Sequence, residues 1–86
     1  MRDRISQIED DVLSILKRVS GRAIEPTLES ELVADLGFDS VRLLELVAAL
    51  EDHFNVFIPL NAVPRIRIVA EAVDEVAALI RQQGQP

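Results

Sequence analysis

The amino-acid sequence predicts an all-α fold, and three observations carry that expectation. Apolar residues make up 49% of the 86 positions, yet only three are aromatic. The apolar excess lies in Ala, Val, Leu and Ile at three- and four-residue spacing, which suits a small helical bundle better than a sandwich. The most strand-like stretch, Phe54 to Leu60, is short, ends beside Pro59 and has no partner strand, so a loop is expected there. The length fits one domain over residues 1–86, with its core at about 4–82.

The elements follow in order. Ile5, Ile8, Val12, Ile15 and Val19 recur with a helical period from Arg4 to Val19, and Gly21 stops this first helix. Pro26 lies in a long connection, where Ile24, Leu28, Leu32 and Leu36 are suited to pinning a loop onto the core, and Ser30 can open a short turn. The second long helix is expected to begin at Asp39 or Ser40, since both are good N-cap residues and Gly37 permits a tight approach before them. Val41, Leu44, Val47, Ala48 and Phe54 are read as its inward face, with Leu43, Leu46 and Leu50 widening the stripe. Pro64 blocks a regular helix interior, so any helix between Leu60 and Ile68 should be short or should start at that proline. The last helix is expected from about Val69 to Gln82, burying Val69, Val73, Val76, Ala77 and Ile80, with Gly84 ending it and a frayed tail over 83–86.

Composition narrows the chemistry. Without cysteine there is no disulfide, thiolate metal site or protein thiol nucleophile, so any thiol must come from a cofactor. Met1-Arg2-Asp3-Arg4 runs into a charged amphipathic segment with no apolar signal core, and no apolar run approaches membrane-spanning length; a cytoplasmic protein without a membrane partner is expected. The net charge of −6 divides into +1 for residues 1–24, −7 for 25–54 and 0 for 55–86. A negative field centred near Ser40 argues against nucleic acid and for basic protein surfaces as partners.

Ser40 and His53 invite a hydrolase reading. On one helix, 13 residues at roughly 1.5 Å rise each hold them about 20 Å apart, far beyond a nucleophile–base hydrogen bond. His53 beside Asp52 reads as a helix-end side chain near the negative end of the dipole, and no converging set of ligands makes it a metal site.

One ordered set of residues stands apart: Leu36-Gly37-x-Asp39-Ser40-Val41, then Glu45-Leu46-Val47, Leu50-Glu51, Phe54 and Ile58-Pro59. In this spacing the chain resembles acyl and peptidyl carrier proteins over nearly its whole length. The resemblance implies a four-helix bundle with a short third helix and Ser40 at the start of helix II. It implies that a separate phosphopantetheinyl transferase, using coenzyme A and magnesium, attaches 4'-phosphopantetheine to the Ser40 hydroxyl. The arm would then carry acyl or aminoacyl groups as thioesters on its own thiol. Gly37 and Asp39 complete the attachment site, with Asp39 helping the transferase to position metal and cofactor while also capping the helix. The remaining partners implied are a loading ligase and downstream synthase, condensation or tailoring enzymes, meeting a monomeric, non-catalytic carrier. Helix II is such a family's docking surface, so Val41, Glu45, Glu51 and Asp52 are candidate contacts.

Two departures point away from fatty acid synthesis. Carriers of that pathway tend to be acidic after the Ile-Pro pair, whereas this chain reads Leu60-Asn61-Ala62-Val63-Pro64-Arg65, and Arg42 stands where an acid is common. Phe57 occupies a loop position that is usually polar. Phe57, Leu60 and Val63 therefore form either an apolar patch for a dedicated partner enzyme or, if the proline reshapes the third helix, part of the core. Ala48, Ala49 and Ala62 either leave room for a short cargo between helices or let them pack closely. The reading that results is a discrete carrier of bacterial polyketide or nonribosomal peptide assembly, as in antibiotic biosynthesis. A fatty acid carrier and an unmodified helical interaction domain are the alternatives.

Overall fold

The computed structural model describes residues 4–83. Three α-helices and one 3-10 helix make up its regular structure: α1 (Arg4–Ser20), α2 (Ser40–Phe54), the 3-10 helix (Leu60–Arg65) and α3 (Val69–Gln83). No strand occurs among the described residues beyond a single antiparallel bridge between Glu31 and Ile68. The all-α bundle with a short third helix is therefore the observed architecture.

The core is filled by aliphatic side chains from every element. Ile8, Val12, Ile15 and Leu16 of α1 meet Leu46 and Leu50 of α2 and Val69, Ala72, Val73 and Val76 of α3. The connections supply Leu32, Leu36, Phe38, Val56 and Ile58, and the 3-10 helix supplies Ala62. Leu16 extends the stripe expected of α1, whereas Ile5 is left 46% exposed near the end of the bundle.

The inward face of α2 differs from expectation. Leu46 and Leu50 are buried and Leu43, Val47, Ala49 and Phe54 half-buried, while Val41, Leu44 and Ala48 lie in solvent. At about 100° per residue these two apolar sets occupy opposite sides of the helix. Periodicity alone offers both, and the position of α1 and α3 selects between them.

The long connection between α1 and α2 is stitched to the start of α3. Val69 N–H donates to the Ser30 carbonyl at 3.0 Å, Ala70 N–H to Leu28 at 2.8 Å, and Leu32 N–H to Arg67 at 3.0 Å. Donors that an isolated helix would leave unpaired in its first turn are thus satisfied by a loop. Glu71 completes the arrangement, its Oε1 accepting from Arg67 N–H at 2.8 Å and Ile68 N–H at 2.9 Å.

Pro64 lies inside the 3-10 helix rather than at its start. That short element is closed by Ala62 N–H on Pro59 and Ile66 N–H on Val63, at 2.9 and 3.0 Å, so the donor a proline lacks is not needed between them. At the far end, Asn55 terminates α2 in the left-handed region with φ 56°. Its carbonyl accepts from the Gln83 side-chain amide at 2.8 Å. Gln83, placed by the sequence in a frayed tail, is instead the last residue of α3 and tied to the loop. Residues 84–86 of that expected tail lie outside the described residues.

The two backbone donors lower the Glu71 pKa below the ordinary carboxylate value, the Ile68 N–H most and the Arg67 N–H next. A depressed folded-state pKa means stabilisation that is present above the unfolded-state value and lost as pH falls through the folded-state value. Glu71→Gln is expected to lower the melting temperature at pH 7, with the gap to the native protein closing as the solution is acidified through that range. A gap independent of pH in thermal melts would show that charge at this cap is irrelevant.

Candidate functional site

The site begins with three residues that fix where α2 starts. Leu36 and Phe38 are buried at 5% and 3% exposure, and Gly37 between them turns the chain with φ 73°. A side chain at residue 37 would be strained in that conformation. With both flanking side chains held in the core, the next two residues are thrown outward. Asp39 is extended (φ −101°, ψ −176°) and acts as N-cap, its Oδ1 accepting from Arg42 N–H at 2.8 Å. Its carbonyl takes the first intrahelical bond, from Leu43 N–H at 2.9 Å.

Ser40 is therefore the first helical residue and is exposed to solvent. The sequence allowed either Asp39 or Ser40 as cap; the cap is Asp39, which leaves the Ser40 hydroxyl free of a structural task. Because the internal bonds begin with Arg42 and Leu43, the N–H groups of Ser40 and Val41 stand at the open, positive end of α2. An exposed hydroxyl beside such donors fits a covalently attached phosphodiester.

The candidate docking residues divide. Val41, at 64% exposure, stands next to Ser40. Glu45 is exposed and pairs with Arg42 Nη1 at 3.0 Å. Asp52 is exposed on the last turn of α2. Glu51 is not part of an outward acidic face: half-buried, it accepts from Ile58 N–H at 2.8 Å through Oε2 and holds the loop after α2. Phe57 and Leu60 project into solvent at 74% and 76% exposure, whereas Val63 is half-buried. Val63 helps line a cavity of about 10 Å³ between α2 and the 3-10 helix, with Leu43, Leu46, Val47, Leu50 and Ile66. The apolar trio named from the sequence is thus two exposed residues and one packed residue.

Ser40 and His53 lie on the same helix, so the separation that removes a Ser–His pair holds. His53 Nε2 is 3.2 Å from Asp11 Oδ2 on α1, and its ring meets Phe54 edge-on with centroids 4.7 Å apart. It joins two helices near the end of α2 remote from Ser40.

One residue near the site escapes sequence reasoning. Arg22 Nη2 donates to the Leu36 carbonyl at 2.7 Å across 14 residues. Nothing in the linear pattern signals it, because the contact exists only once the two loops are adjacent.

The capping geometry separates the two roles of the Asp39-Ser40 pair. Asp39→Ala is expected to lose about 1 kcal/mol of stability in denaturant titration, while Asp39→Asn, which keeps an acceptor, should lose at most a few tenths. Ser40→Ala should stay within about 0.5 kcal/mol of the native protein, since its hydroxyl caps nothing. A loss for Ser40→Ala as large as that for Asp39→Ala would return the cap to the serine.

Comparison with known proteins places this geometry in context. Residues 10–80 match the family described as the phosphopantetheine attachment site. A solved structure named as an acyl carrier protein from Mycobacterium tuberculosis superposes with TM-score 0.78 and 31% sequence identity, covering 83% of this chain and 96% of that one. The acetyl actinorhodin acyl carrier protein from Streptomyces coelicolor shares the fold, with TM-score 0.73 and 23% identity over 88% of this chain and 93% of that one. The family match spans most of the chain and includes the exposed helix N-terminus, so the protein belongs to the phosphopantetheine-attachment family of acyl carrier proteins.

Proposed function

We propose that Ser40 is the attachment residue and that the chain is a discrete, non-catalytic carrier of bacterial polyketide or nonribosomal peptide assembly. The observation that carries the attachment reading is the placement of Ser40, exposed as the first residue of α2 and relieved of capping by Asp39. When bound, 4'-phosphopantetheine supplies the terminal thiol on which acyl or aminoacyl groups ride as thioesters. The chain itself has no cysteine to do so.

The residues around Ser40 present the hydroxyl but do not activate it. Asp39 Oδ1 is engaged by Arg42 N–H, and His53 is bound to Asp11 at the other end of the helix. The base that takes the serine proton therefore belongs to the phosphopantetheinyl transferase, consistent with a substrate of partner enzymes rather than an enzyme. The loading ligase and later synthase, condensation or tailoring enzymes are the further partners of this reading. A cytoplasmic location belongs to this reading. No helix among the described residues is long and apolar enough to cross a membrane.

The specialised-pathway reading rests on two features of the surface. Arg42 puts a cation two residues after the serine, and the stretch from Leu60 to Arg65 carries no acid. Phe57 and Leu60 stand exposed beside that stretch as an apolar patch for a dedicated partner enzyme, with Val41, Glu45 and Asp52 on α2 as further contacts. At such exposure neither Phe57 nor Leu60 contributes much to the core.

Intact-protein mass after incubation with a permissive transferase, magnesium and coenzyme A is expected to rise by one phosphopantetheinyl group, and Ser40→Ala is expected to abolish the gain. An unmodified native protein with several transferases would sink the attachment reading. Phe57→Ser is expected to leave the melting temperature within a degree or two while partner turnover falls; a large drop in melting temperature would assign Phe57 to packing instead.

A further inference from the structure

We propose that Arg22 and Arg42 are positioning residues, a reciprocal clamp that holds the Ser40 loop in register with the end of α1. The proposal rests on Ser40 being the attachment residue, and it concerns what keeps that hydroxyl in place.

The two arginines cross in opposite directions between the same pair of turns. Arg22 follows α1 and reaches forward, Nη2 donating to the Leu36 carbonyl at 2.7 Å. Its guanidinium lies against Gly37 so closely that a Cβ at that position would overlap Nη2. Arg42 follows Ser40 and reaches back over 23 residues, Nη1 donating to the Val19 carbonyl at 2.9 Å in the last turn of α1. Its guanidinium packs on Gly21, where a Cβ would come within 3.1 Å of Nη2. Each arginine thus bonds a carbonyl and rests on a glycine of the opposite turn, and both glycines have positive φ, 71° at Gly21 and 73° at Gly37.

Local bonds aim each side chain. The Ser20 hydroxyl accepts from Arg22 N–H at 3.3 Å and lies 2.7 Å from the Arg22 carbonyl, folding the turn that points Arg22 at Leu36. Asp39 holds Arg42 N–H, and Glu45 Oε1 meets Arg42 Nη1 at 3.0 Å, fixing the side chain along the helix surface. Ser40 consequently sits between two tethered points, Leu36 and Gly37 before it and Arg42 after it. Both tethers are charge-assisted bonds to carbonyls, stronger than neutral ones, and α1 supplies an otherwise open terminal acceptor for one of them.

The clamp also brings two cations into the most acidic third of the chain. Residues 25–54 carry −7, and Arg42 is their only base; Arg22 arrives from outside that segment.

The test compares Arg22→Ala, Arg42→Ala and the corresponding Lys variants with the native protein. Single-turnover phosphopantetheinylation at saturating carrier and amide hydrogen exchange of residues 37–41 are both measured. Loss of one charge-assisted tether is expected to reduce the transfer rate at saturation by about tenfold and to speed local exchange by a similar factor. Each Lys variant should recover part of both, because an ammonium still donates to a carbonyl. An effect confined to KM would make the arginines contacts of the transferase, and a lowered melting temperature with unchanged transfer and exchange would make them structural; either result overturns the proposal. Native protein that is modified while all four variants match it overturns the clamp alone. Native protein that no transferase modifies overturns the attachment reading as well.

Discussion

The exposed N-terminal end of α2 depends on one short turn. Leu36 and Phe38 both enter the core, and between them the chain turns towards the start of α2. The left-handed conformation of Gly37 makes that turn. It commits two apolar anchors to the interior and ejects the following dipeptide. Asp39 then becomes the cap and Ser40 the first exposed residue of α2. Hydrophobic burial thus sets the position of a polar site, with the helix N-terminus as its consequence.

The acidic character of the middle third is less uniform in space than in sequence. Glu51 is drawn inward to hold Ile58, and Glu45 is paired with Arg42. Asp52 remains exposed, as does the apolar line of Val41, Leu44 and Ala48. An exposed ion pair contributes only about 0–1 kcal/mol to stability, so these charges bear on encounter and partner choice more than on folding. The half-buried carboxylate of Glu51 is of another kind: its acceptor keeps a loop attached to α2, and losing it would leave the Ile58 N–H without that partner.

Packing between α2 and the 3-10 helix is tight. The cavity lined by Leu43, Leu46, Val47, Leu50, Val63 and Ile66 is about 10 Å³, at the lower limit for one water molecule. Ala62, fully buried, lets the elements approach rather than leaving a chamber, and Ala48 faces solvent. Between these two elements there is no room for a cargo chain, and sequestration there would require Val63 or its neighbours to move.

The sequence by itself determined the helical class, the approximate span of each helix and the start of α2, because apolar period, capping residues and glycine or proline breaks act over a few residues. It also carried the ordered motif from Leu36 to Pro59 that the family match agrees with. Tertiary structure decided which side of α2 is inside, since two apolar stripes are equally periodic and only the positions of α1 and α3 distinguish them. It decided that Glu51 is a loop anchor, that Phe57 and Leu60 are exposed while Val63 packs, and that Gln83 is tied to Asn55. It also brought Arg22 to Leu36 and Arg42 to Val19. Each of these depends on a partner far along the chain, and no local rule of spacing or propensity encodes which distant carbonyl a flexible side chain will reach.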